Sequence, residues 1–241
     1  MELFRHRAMK TPNQLAYAYL KDGIVEEGCL SYAELDAKAC AGAVVIKRYV
    51  PENGRVLLLY PPGTDFIVGF AACLYAGVIA IPAPPPDTVR LKRTLPRLKS
   101  IAQDAQASLV LSDGNLIESI KQQSNNATQA AMDTFSVVHW LDYADLNNAS
   151  ADDWQMPEIR DDALAYLQYT SGSTATPKGV MMSHVNLLHH LAQIQQAWAY
   201  DEKSISVTWM PYFHDYGLVD GLLEPLFTGI PCYILSPLTF L

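Results

Sequence analysis

Positive charge is in short supply. In 241 residues, 17 Lys and Arg stand against 25 Asp and Glu, a formal net charge of −8. Sequence-independent binding to nucleic acid or to acidic membranes needs a basic patch, so both classes are excluded as expectations. The nearest thing to such a patch is Arg90, Lys92, Arg93, Arg97 and Lys99. These alternate with Leu91, Leu95, Leu98 and Ile101 at helical spacing, which is the pattern of a solvated helix face. Cysteine is scarce too. Cys29, Cys40, Cys73 and Cys232 form no CxxC pair, so neither a zinc knuckle nor a disulfide framework is indicated, and a reducing cytoplasm fits. The first residues, MELFRHRAMKTPNQ, are too charged for a secretion signal and lack its apolar core. One uncharged run, Phe66 to Ala83, is about as long as a membrane-spanning helix must be. Thr64 and Asp65 read as a helix start, Gly77 as a stop, and Pro82 would break a span near its end. The run therefore predicts a buried helix from Asp65 to Ala76 followed by a strand, Val78–Ile81.

What is present is apolar substance, 50% of the residues, enough to bury a sizeable core in one large domain or two small ones. From Arg55 onward strands and helices alternate. Strand Val56–Tyr60 ends at Pro61-Pro62-Gly63, and with the buried helix and the next strand it forms a βαβ unit. Its fully apolar strands suit a parallel sheet covered on both faces. Pro82–Pro86 is a stiff connector. A helix around Pro96–Gln106, strand Ser108–Leu111, a helix over Asn115–Gln123 and strand Phe135–Trp140 follow. Residues 142–162 are acidic and turn-rich, an expected exposed linker. Then come an apolar strand from Ala163 to Leu167, a helix over 184–198, strand Ile205–Trp209, the loop Pro211–Gly217, a helix to Phe227 and strand Cys232–Leu235. Near the start, Ser31, Tyr32, Ala33 and Glu34 read as a capped helix. No repeat is present. The fold class this predicts is α/β, with layered, parallel-rich sheets flanked by helices.

The chemistry concentrates in residues 169–179, YTSGSTATPKG. Thr170, Ser171, Ser173, Thr174 and Thr176 surround Gly172, and Pro177, Lys178 and Gly179 close the stretch. It follows a buried strand and precedes Ser183, which caps a helix carrying Val185, Leu187, Leu188, Leu191, Ile194 and Trp198 at helical spacing. Such a loop can hold polyphosphate: backbone N–H groups and hydroxyls donate, glycine lets the main chain approach, and lysine adds a point charge. A plain surface loop of turn formers is the other reading. A Walker loop is excluded, because that motif needs Gly-Lys-Ser/Thr opening a helix, whereas Lys178 lies between Pro177 and Gly179.

The stretch resembles the phosphate-binding signature of the adenylate-forming superfamily, and the chain is most similar to the fatty acyl-AMP ligases within it. LSYAELDAKA (30–39), LLLYPPGTDFIVGFAACLYAGVIAIPAPPP (57–86) and MPYFHDYGLVDGLLEPLFTGIP (210–231) resemble further family segments. One departure is Ala175, where most members have Gly; fatty acyl-AMP ligases often vary there, so it reads as a subfamily mark. The resemblance implies the first half of an N-terminal domain. Residues 1–54 would pack with a second subdomain, 55–200 would form the first α/β subdomain, and 201–241 would begin the second.

It also implies a ligase that joins a fatty acid to ATP, with Mg²⁺, giving acyl-adenylate for transfer to an acyl carrier protein in lipid, polyketide or nonribosomal peptide synthesis. Thr170, Ser171, Gly172, Ser173, Thr174 and Lys178 would hold the β- and γ-phosphates. His214 replaces the aspartate by which amino-acid adenylation domains hold an ammonium group, which disfavours an amino-acid substrate. For His214 two readings stand: a packed histidine, or a residue at the mouth of the acyl pocket near the reacting carboxylate. Gly217 and Gly221 would allow close approach of the acyl chain, although helix packing accounts for Gly221 equally well. No metal ligand is read from this chain. An acyl-CoA synthetase and a non-catalytic fold fragment remain alternatives. The adenine pocket, the magnesium-binding glutamate and the catalytic lysine of the family have no counterpart in these residues, so the 241 residues alone are expected not to form acyl-adenylate.

Overall fold

In the computed structural model the described residues are 1–87, 89–122, 138–160, 162–170 and 177–240, without the side chains of Lys92 and Lys121. Two sheets share one main core, and helices cover them. The elements in chain order are α1 (Glu2–Lys10), β1 (Leu15–Leu20), β2 (Glu26–Ser31), α2 (Tyr32–Ile46), β3 (Arg55–Leu59), α3 (Asp65–Ala76), β4 (Ile79–Pro82), α4 (Leu91–Asp104), β5 (Leu109–Ser112), α5 (Gly114–Gln122), β6 (His139–Asp142), β7 (Leu164–Thr170), β8 (Lys178–Ser183), α6 (His184–Trp198), β9 (Ser206–Thr208), a π-helix (Tyr216–Leu223), α7 (Glu224–Thr228), β10 (Cys232–Leu235) and α8 (Pro237–Phe240).

The larger sheet has the order β6-β5-β3-β4-β7-β8, parallel except for β8, which runs antiparallel to β7. Its central strands are apolar on both faces, as a sheet covered by helices on both sides requires. Helix α3 is the most deeply buried cover, with Phe66, Ile67, Phe70, Ala71, Ala72 and Cys73 all out of solvent. It ends where Gly77 takes φ +70°, a left-handed conformation at which a side chain would be strained. The smaller sheet has the order β2-β1-β10-β9. Within it β1 pairs antiparallel with β2 and parallel with β10, so Tyr17 lies opposite Cys232. The Tyr17 hydroxyl, buried, donates to the carbonyl of Leu222 at 2.7 Å. Helix α2 opens on a full capping box: the Ser31 hydroxyl accepts from the Glu34 N–H, and the Glu34 carboxylate accepts from the Ser31 N–H.

Several sequence expectations need correction. Helix α4 begins at Leu91, ahead of Pro96, because Leu91 and Leu95 add to the buried face that Leu98 and Ile101 continue. That burial outweighs the hydrogen bond Pro96 removes. The expected exposed linker, 142–162, is partly core. Leu146 is buried, and Trp154 donates its ring N–H to the Tyr75 carbonyl at 2.9 Å with the Arg5 guanidinium 5.1 Å from its ring centroid. Strand β6 runs over His139–Asp142; residues 135–137 of the expected strand lie outside the described residues. Strands β1, β2 and β8 were not expected at all. No helix among the described residues is long and apolar enough to cross a membrane.

Candidate functional site

Strands β7 and β8 form an antiparallel hairpin in which Gln168 lies opposite Val180, Tyr169 opposite Gly179, and Thr170 opposite Lys178. Thr170 and Lys178 thus lie side by side as the last pair before the connecting residues, both exposed. Ser171, Gly172, Ser173 and Thr174, the remaining residues expected to hold phosphate, lie outside the described residues, as do Ala175 and Thr176. Lys178 begins a strand and not a helix, and Ser183 ends that strand by capping α6, its hydroxyl accepting from the Asn186 N–H.

Strand alternation divides β7 between two cores. Leu167 and Tyr169 point to the cluster built on α4, and the Tyr169 hydroxyl donates to Asp104 at 2.5 Å. Both burial and that carboxylate raise the Tyr169 pKa, so the phenol stays protonated. Tyr166, Gln168 and Thr170 occupy the other face. That face looks toward the turn Pro211–Asp215, which carries His214. The Gln168 side-chain amide donates to the Phe213 carbonyl at 2.7 Å.

The same turn is held a second time by Tyr212. Its hydroxyl accepts from the Tyr60 N–H at 2.8 Å, donates to the Tyr60 carbonyl at 2.7 Å, and lies 3.2 Å from the Ala83 carbonyl. Its ring stacks on Phe66 with centroids 3.8 Å apart. Tyr212 therefore pins the turn to the ends of β3 and β4. Within the turn the His214 N–H donates to the Pro211 carbonyl at 3.0 Å, and the Leu218 N–H donates to the His214 carbonyl at 2.9 Å. His214 is exposed, and its ring leans on Phe213 with centroids 5.2 Å apart. Asp215 caps the π-helix by accepting from the Tyr216 N–H.

The two glycines of the π-helix are buried. A side chain at Gly217 would run into the carbonyl of Pro211, which is backbone and cannot give way. A side chain at Gly221 would sit 2.6 Å from the Thr208 hydroxyl. Both positions let the π-helix close down on neighbouring segments of its own chain. Beside the turn lies an apolar cavity of about 200 Å³, walled by Tyr60, Phe66, Trp209, Met210, Phe213 and Leu222 among others. Sequence reasoning missed this cavity, the Tyr212 clasp and Gln168. A lone amide in the otherwise apolar and aromatic ALAYLQY run was the signal for the last.

Among the described residues no group of three or more His, Cys, Asp or Glu is placed to hold a metal ion. The connected end of the hairpin, with the Lys178 cation and the Thr170 hydroxyl side by side, fits an anionic ligand.

The scaffold is α/β and ties a histidine-bearing turn to the β7–β8 hairpin, and comparison gives the class to which it belongs. Residues 4–241 match the family of AMP-binding enzymes, and the chain belongs to that family. It is 50% identical over 240 residues to the medium-chain-fatty-acid–[acyl-carrier-protein] ligase JamA of Moorena producens, a match over 100% of this chain and 40% of JamA. It is 30% identical to the medium-chain-fatty-acid–[acyl-carrier-protein] ligase TtuA of Teredinibacter turnerae, over 99% of this chain and 42% of TtuA. Among solved structures it resembles the fatty acyl-adenylate ligase of L. pneumophila in complex with acyl adenylate and pyrophosphate. There the TM-score is 0.86 and the identity 33%, over 99% of this chain and 40% of that one. The chain thus spans about 40% of the length of these relatives.

Proposed function

We propose that these residues form the phosphate-binding and acyl-orienting part of a ligase that activates a fatty acid with ATP and passes the acyl group to an acyl carrier protein. The observation that carries this reading is the pairing of Thr170 with Lys178, which puts a hydroxyl and a cation side by side where the stretch YTSGSTATPKG leaves and rejoins the sheet. The names of JamA and TtuA support the fatty acid and the carrier protein. On this reading residues 1–54 and 201–241 belong to one subdomain and 55–200 to the other.

In the reaction a carboxylate oxygen attacks the α-phosphorus of ATP, the bond from that phosphorus to the β-phosphate bridge breaks, and pyrophosphate leaves with the electron pair. Two anions must meet, so the protein's task is positioning and charge neutralisation. Thr170, Ser171, Gly172, Ser173 and Thr174 donate to the β- and γ-phosphates, and Lys178 offsets their charge. His214, on its tethered turn, orients the carboxylate against the α-phosphate. Gly217 and Gly221 let the π-helix lie close against Pro211 and Thr208, shaping the wall along which the acyl chain lies, and the adjoining apolar cavity suits its methylenes. Mg²⁺, when bound, would supply further charge neutralisation.

The test is acyl-adenylate formation by the complete ligase that carries this segment, with Lys178→Ala beside the wild type. A loss of about tenfold or more is expected, on the scale of removing one charged phosphate contact. Unchanged turnover would make the loop purely structural.

A further inference from the structure

Gln168 lies in mid-strand on β7, 6% exposed, two residues before the phosphate loop. A carbonyl can only accept, so the 2.7 Å contact with Phe213 fixes which end of the amide points at the turn: the NH₂ group donates. The other end, Oε1, is buried and has no hydrogen-bond partner among the described residues. For stability alone the amide is a poor choice: among the described residues its oxygen has no partner, and an unpaired buried acceptor is costly. Methionine, of similar length, would fill the space without that cost. What the amide provides is a fixed distance between β7 and the turn that carries His214. Its strand ends at Thr170, and its acceptor belongs to the residue immediately before His214. The turn's other tether, the Tyr212 hydroxyl, ties it to β3 and β4 and not to β7. Without Gln168 the turn would keep its place in the fold yet be free to pivot about Tyr212.

We propose that Gln168 is a positioning residue: its amide holds the His214 turn at a fixed distance from β7 and its last residue, Thr170, coupling the acyl end of the site to the nucleotide end. This rests on the function proposed above. Gln168 touches neither substrate; it acts through the Phe213 carbonyl.

The experiment uses the complete ligase in three forms, wild type, Gln168→Met and Gln168→Glu. Acyl-adenylate formation is followed from pH 6 to 8, and amide hydrogen exchange is followed over residues 211–218. Gln168→Met is expected to lower kcat by about tenfold or more while the KM for ATP stays within about twofold, because positioning is lost but phosphate binding is not. Gln168→Glu gives a signature that packing alone cannot. Ionised, its carboxylate opposes the Phe213 carbonyl; protonated, its O–H donates in place of the amide. Its activity relative to wild type must therefore rise as the pH falls. In Gln168→Met the His214 and Leu218 amides should exchange about tenfold faster. Wild-type kcat in Gln168→Met, or a Gln168→Glu to wild-type ratio that is flat with pH, overturns the proposal. If the wild type forms no acyl-adenylate, the proposed function fails and the exchange measurement alone decides: unchanged protection in both variants overturns the positioning role.

Discussion

Replacing Glu224 with glutamine should stabilise the protein, and only above about pH 5. Glu224 opens α7 and is completely buried. Its Oε1 accepts from the Thr228 hydroxyl at 2.8 Å, while its Oε2 has no partner among the described residues. Burial lifts its pKa from the ordinary 4.5 to about 7; the Thr228 hydroxyl opposes that rise and the negative charge of Asp220 adds to it. Between those two pH values the folded chain holds a proton that the unfolded chain has released. The carboxyl's contribution to stability is therefore intact below about 4.5 and is lost as the pH rises through about 7. At pH 8 ionised Glu224 costs about 3 kcal/mol, and at pH 5 less than about 1 kcal/mol. Glutamine cannot ionise and keeps an oxygen for Thr228, but it sets a buried NH₂ where Oε2 stood, at a cost of about 1 kcal/mol. The net gain should be about 1–2 kcal/mol at pH 8, or about 4 °C in Tm for a chain of this size, vanishing near pH 5. Thermal unfolding of wild type and Glu224→Gln, followed by circular dichroism across that range, is the assay. A gain independent of pH, or a loss at pH 8, would refute the reasoning.

Tyr212→Phe strips the hydroxyl shared by Tyr60 and Ala83, leaving buried backbone groups unpaired; urea titration should show a loss of about 1–3 kcal/mol. Gly217→Ala drives a methyl group into the Pro211 carbonyl and must shift the His214 turn. A several-fold fall in acyl-adenylate formation by the complete ligase is expected, and full activity would mean that the turn's position is not critical. Ser31→Ala removes one half of the α2 capping box, and equilibrium unfolding should register about 1 kcal/mol.

The sequence was most legible where local chemistry and burial agree. Helix α3 is bounded by Asp65 and Gly77, α6 by its Ser183 cap, and β10 by an apolar run after Pro231, and all three stand where reading placed them. The missed strands lack such agreement. The segment EEGCLS of β2 is mostly exposed and opens on two glutamates, and it is a strand because β1 lies beside it. The segment KGVMMS of β8 owes its extension to β7, with Val180 and Met181 left exposed. Pairing of this kind is tertiary information, which propensity does not carry. At the site, the loop's residue types and the histidine turn were legible, and so was Lys178 outside a helix. The bond from Gln168 to Phe213 and the Tyr212 clasp were not, because each joins residues far apart in the chain.

The parallel pairing of β1 with β10 has a consequence for how this chain matures. Tyr17 finds Cys232 only after roughly two hundred intervening residues have been made. Closing so long a loop is slow, and topologies built on remote pairs delay their last steps. On the ribosome the β1–β2 ribbon must wait with one side of β1 unsatisfied, the condition in which strands capture wrong partners. Slower translation or a chaperone acting between residues 31 and 206 should therefore matter more to the yield of folded protein than any change within the larger sheet.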